Sequence, residues 1–155
     1  MIILLATALT GVFGCENSNG QNKTATGPKG KPAVEWKKVL TPNQYHIMVE
    51  KGTEPPFHNA YYNNHEKGVY VSAATGEVLF TSDDKFESGT GWPSFTKPVS
   101  NNKVTVITDA DGERMEVVEK STGLHLGHVF DDGPEDRGGK RFCMNSGALK
   151  FIKKQ

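Results

Sequence analysis

Cysteine is almost missing from this chain: Cys15 and Cys143 are the only two in 155 residues. Two thiols cannot build a disulfide framework or a cysteine-based zinc site. Net charge is missing as well, since 18 basic side chains balance 18 acidic ones. That removes the electrostatic case for nucleic acid or for an acidic membrane surface, and no nucleic-acid partner is expected. Hydrophobic residues make up only 35% of the chain. No apolar run reaches the roughly 20 residues that a membrane-spanning helix needs, and no internal repeat is evident. Glycine and proline are plentiful, at 17 and 8, and they break the chain into many turns. One loop-rich, mainly β domain is expected, with some chain left over that cannot fold.

The leftover chain is at the start. MIILLATALTGVFGC is apolar and has the length of a signal h-region. Its end, Val12-Phe13-Gly14-Cys15, resembles the lipobox of bacterial lipoprotein signals, although no Lys or Arg precedes the apolar run. The resemblance implies a membrane-anchored, extracytoplasmic protein on the periplasmic or cell-surface side, with lipid on Cys15. Residues 16–33 carry almost no large apolar side chain and read as a flexible tether. The expected division is a signal segment over 1–15, a tether over 16–33 and a folded domain over 34–155.

Within the folded part, Thr41-Pro42-Asn43-Gln44 matches a capping box with proline at the first helical position. It predicts a short helix from Pro42 to about Lys51, stopped by Gly52, with Tyr45, Met48 and Val49 on its buried stripe. Strand signals follow: a hairpin of 69–72 and 77–80 around Gly76, a second of 103–108 and 114–120, then 124–130, 141–146 and 149–152. Short strands in close succession favour an antiparallel β-barrel-like or two-sheet body with one or a few short peripheral helices.

Alternation along Arg141-Phe142-Cys143-Met144-Asn145-Ser146 puts Arg141, Cys143 and Asn145 on one face and the apolar pair on the other. A cation beside a thiol favours the nucleophilic thiolate. A lone cysteine is also commonly a buried structural residue, and the pattern leaves both readings open. His125 and His128 would point to opposite faces of a regular strand, and Gly127 between them marks a possible bulge that brings them together. They suit acid–base chemistry, metal binding or a surface position, but no cysteine is left to complete a zinc set. Asp131-Asp132-Gly133-Pro134 is a turn by composition. Gly89-Thr90-Gly91-Trp92-Pro93 forces an irregular loop whose tryptophan either joins the core or walls a pocket.

Taken in order, Gly91-Trp92-Pro93-Ser94-Phe95, His125-Leu126-Gly127-His128-Val129-Phe130 and residues 141–146 resemble the peptide methionine sulfoxide reductases of type B. Leu40-Thr41-Pro42, Gly52-Thr53-Glu54 and Leu149-Lys150-Phe151 extend the resemblance over nearly everything from Lys38 onward. It implies reduction of methionine-R-sulfoxide, free or in oxidised proteins, and so protein repair. Cys143 matches the attacking cysteine, and Trp92 matches the residue that packs on the substrate's S-methyl group. His125, His128, Asp132, Arg141 and Asn145 match the polar lining. Either histidine would serve as the acid, and Arg141 would favour the thiolate.

Two departures from the family pattern matter. Ser72, Thr75, Glu119 and Thr122 stand where many members have zinc-binding cysteines, so no structural zinc and no other cofactor is expected. Thr90 stands where many have a resolving cysteine. An external reductant, thioredoxin-like or a small thiol, must then regenerate Cys143. The domain is expected to act as a monomer. A binding module without turnover and a structural lipoprotein with a buried Cys143 are the competing expectations.

Overall fold

The computed structural model describes residues 31–155. The signal segment with Cys15, and nearly all of the tether, lie outside the described residues. Helix α1 spans Ala33–Trp36, and α2 spans Pro42–Met48. The capping box forms: the Gln44 amide donates to Thr41 Oγ1, and Gln44 Oε1 accepts from the Thr41 amide. The helix ends earlier than its sequence suggests. Lys51 takes a left-handed φ of 60° and the Gly52 amide donates back to the His46 carbonyl. The turn out of α2 is thus made before Gly52 is reached. Ile47 and Met48 are the fully buried residues of α2, while Tyr45 and Val49 pack against the core from partly exposed positions.

Strands β1 (Gly68–Ser72), β2 (Val78–Thr81) and β9 (Leu149–Lys153) form one antiparallel sheet, ordered β2-β1-β9. The second sheet contains β3 (Lys85–Phe86), β4 (Ser94–Phe95), β5 (Val104–Thr108), β6 (Met115–Glu119), β7 (His125–Phe130) and β8 (Arg141–Met144). Its order is β3-β4-β8-β7-β6-β5, so it is an open sheet with β8 and β7 inside it. The body is mainly antiparallel β with two sheets and short helices, as the turn spacing suggests. The two-residue strands β3 and β4 escape sequence reading because a pair of residues has no period.

The core gathers Tyr70, Leu79 and Phe80 from the small sheet, Phe95, Leu126 and Met144 from the large one, and Ile47 and Met48 from α2. Phe80 stacks on Phe95 at 4.5 Å between ring centroids, and Tyr70 meets Phe95 edge-on at 5.0 Å. Burying rings of this size supplies about 2 kcal/mol or more apiece. It also fixes β4 against the body, and β4 pairs directly with the strand that carries the thiol: Ser94 lies opposite Cys143.

Candidate active site

Cys143 sits on β8, inside the large sheet and partly buried. Its neighbour strand β7 is irregular. Val117 of β6 pairs with Gly127, and Val118 pairs with His125, so Leu126 is an extra residue on β7. This bulge shifts the phase of the strand and brings the two histidine rings within 5.3 Å. Gly127 is required by the packing: a Cβ there would lie 2.1 Å from the Cys143 carbonyl oxygen. The bulge and the glycine together seat His128 directly opposite Cys143 in the β7–β8 ladder.

A pocket of about 140 Å³ opens over these residues. Of the residues singled out from sequence, Trp92, His128, Cys143 and Asn145 line it. His125, Asp132 and Arg141 do not, and each does something else. His125 is buried behind His128, with Nδ1 2.8 Å from Glu116 Oε1. Glu116 Oε2 in turn accepts from Lys51 Nζ at 2.7 Å. Burial outweighs the help of Glu116 and pushes the His125 pKa down. Arg141 donates through Nε and Nη2 to both oxygens of Asp132, at 2.8 and 2.9 Å, with its guanidinium 4.4 Å from the Phe130 ring centre. The bidentate pair holds Asp132 below the usual carboxylate range.

The thiol is pulled two ways. Burial raises its pKa; Arg141 and the hydroxyls of Thr90 and Ser94 lower it, and burial wins. The expectation that Arg141 favours the thiolate therefore holds for that residue's own contribution, not for the net balance. Ser88 ties the two hydroxyls together, 2.8 Å from each.

Asn145 lies one residue beyond the end of β8, not within a strand as its sequence suggests. Its Oδ1 accepts from the Glu54 amide at 3.2 Å and its Nδ2 donates to the Leu126 carbonyl at 3.2 Å. One Nδ2 hydrogen remains for a ligand. Trp92, half-buried, donates from Nε1 to the Glu54 carbonyl at 3.0 Å.

Several neighbours escape sequence reading. Thr53, Arg114 and Phe130 also line the pocket. Asp109 Oδ2 lies 2.9 Å from both His128 Nε2 and Arg114 Nη2. The bond to His128 helps hold the Asp109 pKa low, so Asp109 is an ionised acceptor, which places a proton on His128 Nε2 and leaves Nδ1 open. In the sequence, Asp109 is an ordinary turn residue and Arg114 the first residue of a returning strand. Glu116 had a signal: a carboxylate inside the apolar run Met115–Glu119 must be paired if it faces inward.

A family model described as the SelR domain matches residues 40–153. A peptide methionine sulfoxide reductase MsrB of Methanosarcina barkeri is 55% identical over 123 residues, covering 78% of this chain and 86% of its own. The protein of that name from Methanosarcina mazei is 52% identical over 127 residues, 81% of this chain and 90% of its own. One from Leptospira interrogans is 52% identical over 125 residues, 79% of this chain and 95% of its own.

The chain belongs to the type B methionine sulfoxide reductases.

Enzymes of this family draw on an external thiol. Against the family pattern, the four positions that many members use for zinc hold a different structure here. Glu119, fully buried, accepts from Thr75 Oγ1 at 2.5 Å and Thr122 Oγ1 at 2.6 Å. Ser72 Oγ accepts from the amides of Ala74 and Thr75. This donor set does not fit zinc: it offers hydroxyls and one carboxylate already committed on both oxygens, with no thiolate or imidazole. Among the described residues no group of three or more His, Cys, Asp or Glu side chains is arranged to hold a metal.

Proposed function

We propose that this protein reduces methionine-R-sulfoxide in oxidised proteins, as a repair oxidoreductase. The carrying observation is one pocket that brings together the Cys143 thiol, the Trp92 indole and the His128 imidazole. The indole offers an apolar wall for the S-methyl group. The Cys143 sulfur attacks the sulfoxide sulfur and gives up its proton; the oxygen takes a proton from the acid and passes to the Cys143 sulfur as its bond to the methionine sulfur breaks. His128 is the acid, because it lines the pocket while His125 is enclosed behind it; with Nε2–H held by Asp109, the proton it gives is the one carried on Nδ1 by the doubly protonated ring. The remaining Nδ2 hydrogen of Asn145 is available to the oxygen. Arg141 acts on the thiol from outside the pocket, and Asp132 holds its guanidinium. The sulfoxide gains two electrons and becomes methionine; Cys143 becomes the sulfenic acid. Two equivalents of external thiol then return Cys143 to the thiol, giving a disulfide and water.

The reductant is a thioredoxin-like protein or a small thiol, since Thr90 stands at the resolving position. The domain works as a monomer and without structural zinc, the Glu119 cluster serving in its place. Membrane attachment through lipid on Cys15, on the extracytoplasmic side, is supported by the sequence Val12-Phe13-Gly14-Cys15. Detergent-phase partitioning of the full chain against Cys15→Ala tests it.

The test of activity is turnover of separate R and S sulfoxides with a monothiol, a dithiol and a thioredoxin system, with Cys143→Ser as the control. R-specific turnover that vanishes in the control is expected. A folded protein that reduces neither epimer with any donor overturns the proposal.

A further inference from the structure

Glu54 lies in the segment between α2 and β1, buried, and outside the pocket lining. Three of its groups reach the site. Its amide donates to Asn145 Oδ1 at 3.2 Å. Its carbonyl accepts from Trp92 Nε1 at 3.0 Å. Its carboxylate accepts from the Ser146 amide and, at 2.9 Å, from the Gly147 amide, the turn that directly follows Asn145. One residue thus holds the aromatic wall and the amide side of the pocket, which come from segments more than fifty residues apart in the chain.

We propose that Glu54 is a positioning residue for the reaction, fixing the Trp92 indole and the Asn145 amide relative to each other. This deepens the function proposed above and rests on it, because it takes both residues to touch the substrate. The amide orientation is the first consequence. With the Glu54 amide on Oδ1 and the Leu126 carbonyl on Nδ2, a flipped Asn145 would set oxygen against oxygen and N–H against N–H. The second Nδ2 hydrogen is therefore held in one direction. The carboxylate is the second consequence. Burial raises the Glu54 pKa, and the acceptor bonds to the two backbone amides only partly offset this. A buried carboxylate is a costly way to gain stability alone; as an acceptor for two successive amides it defines the turn that carries Asn145. Asn59 ties the same segments in parallel, donating to the Gly91 carbonyl at 2.7 Å and accepting from Ser146 Oγ at 2.7 Å.

The experiment is Glu54→Gln in the full chain, compared with the native protein for turnover of methionine-R-sulfoxide, alkylation of Cys143 by iodoacetamide, and thermal unfolding. Glutamine keeps the size but turns an N–H toward one of the two amides. Loss of about one hydrogen bond's effect on the bound substrate lowers kcat/KM roughly tenfold. Cys143 alkylation in the folded protein stays close to the native value, because Glu54 does not touch the thiol, while the unfolding midpoint falls modestly for the one buried amide left unpaired. An unchanged kcat/KM overturns the proposal. So does a loss of kcat/KM matched by an equal change in alkylation, which signals general loosening. If Glu54→Gln does not fold, Glu54→Asp carries the test: it keeps the charge and draws the acceptor back from the Ser146 and Gly147 amides without altering any pocket-lining residue. A several-fold loss of kcat/KM with native alkylation then supports the proposal, and unchanged kcat/KM overturns it. Inactivity of the native protein itself would instead refute the function on which the proposal rests.

Discussion

Cys143 is held between opposing effects, and this sets its reactivity. Burial raises the thiol pKa above its ordinary value, so little thiolate exists near neutral pH in the free site. The alkylation rate should therefore climb with pH, with a midpoint above that of an exposed cysteine. Arg141→Met removes the cation and should move the midpoint higher still; a midpoint at or below the ordinary value would contradict this balance. His128 offers a second residue-scale test. Asp109 fixes its Nε2 at 2.9 Å, so Asp109→Asn should lower kcat/KM about tenfold or more by disturbing the proton-bearing tautomer. Steady-state kinetics with the R-sulfoxide reads this directly. Of these residues, sequence pattern reaches Cys143 and His128, because each lies in a strand with a readable period or a marked glycine. Asp109 it does not reach, because a turn aspartate is the same letter whether its carboxylate meets water or an imidazole.

At the level of elements, the site is a consequence of the β7 bulge and of how closely β7 and β8 approach. Gly127→Ala places a methyl group against the Cys143 carbonyl, with a contact of 2.1 Å before relaxation. It should cost about 2 kcal/mol or more in stability, measured by urea unfolding. A loss well under 1 kcal/mol would mean that the strands separate easily. The β1–β2 and β6–β7 turns are joined elsewhere by Glu119 and its two threonine hydroxyls. Glu119→Ala empties a fully buried position and strips both partners, so a loss of about 3 kcal/mol is expected from chemical denaturation. Seven of the nine strands among the described residues are legible from alternation and turn residues, and the two-residue β3 and β4 are not. The β7 bulge was legible only as a possibility, since a glycine inside a strand marks a bulge, a bend or a close approach alike.

For the whole molecule, stability should depend on pH through buried groups. The folded-state pKa of His125 lies below its ordinary value, because burial disfavours the charged form. The unfolded chain then binds more protons than the folded one as pH falls through the ordinary histidine range. The contribution of His125 is full above about pH 6.5 and is lost as pH drops toward its folded pKa. Denaturant midpoints measured from pH 8 to pH 5 should fall, and His125→Asn should flatten that slope; an unchanged slope would assign it to other groups. Sequence alone determined the β class, the helix start at Thr41 and the family. These depend on local chemistry: turn residues, a capping box, side-chain period, and motifs whose residues are adjacent in the chain. Tertiary structure decided which histidine enters the pocket and that burial outweighs Arg141 at the thiol. It also decided that Glu54 holds Trp92 and Asn145 together. Each of these is a balance of desolvation and contact between segments far apart in sequence, and such a balance exists only once the strands have packed.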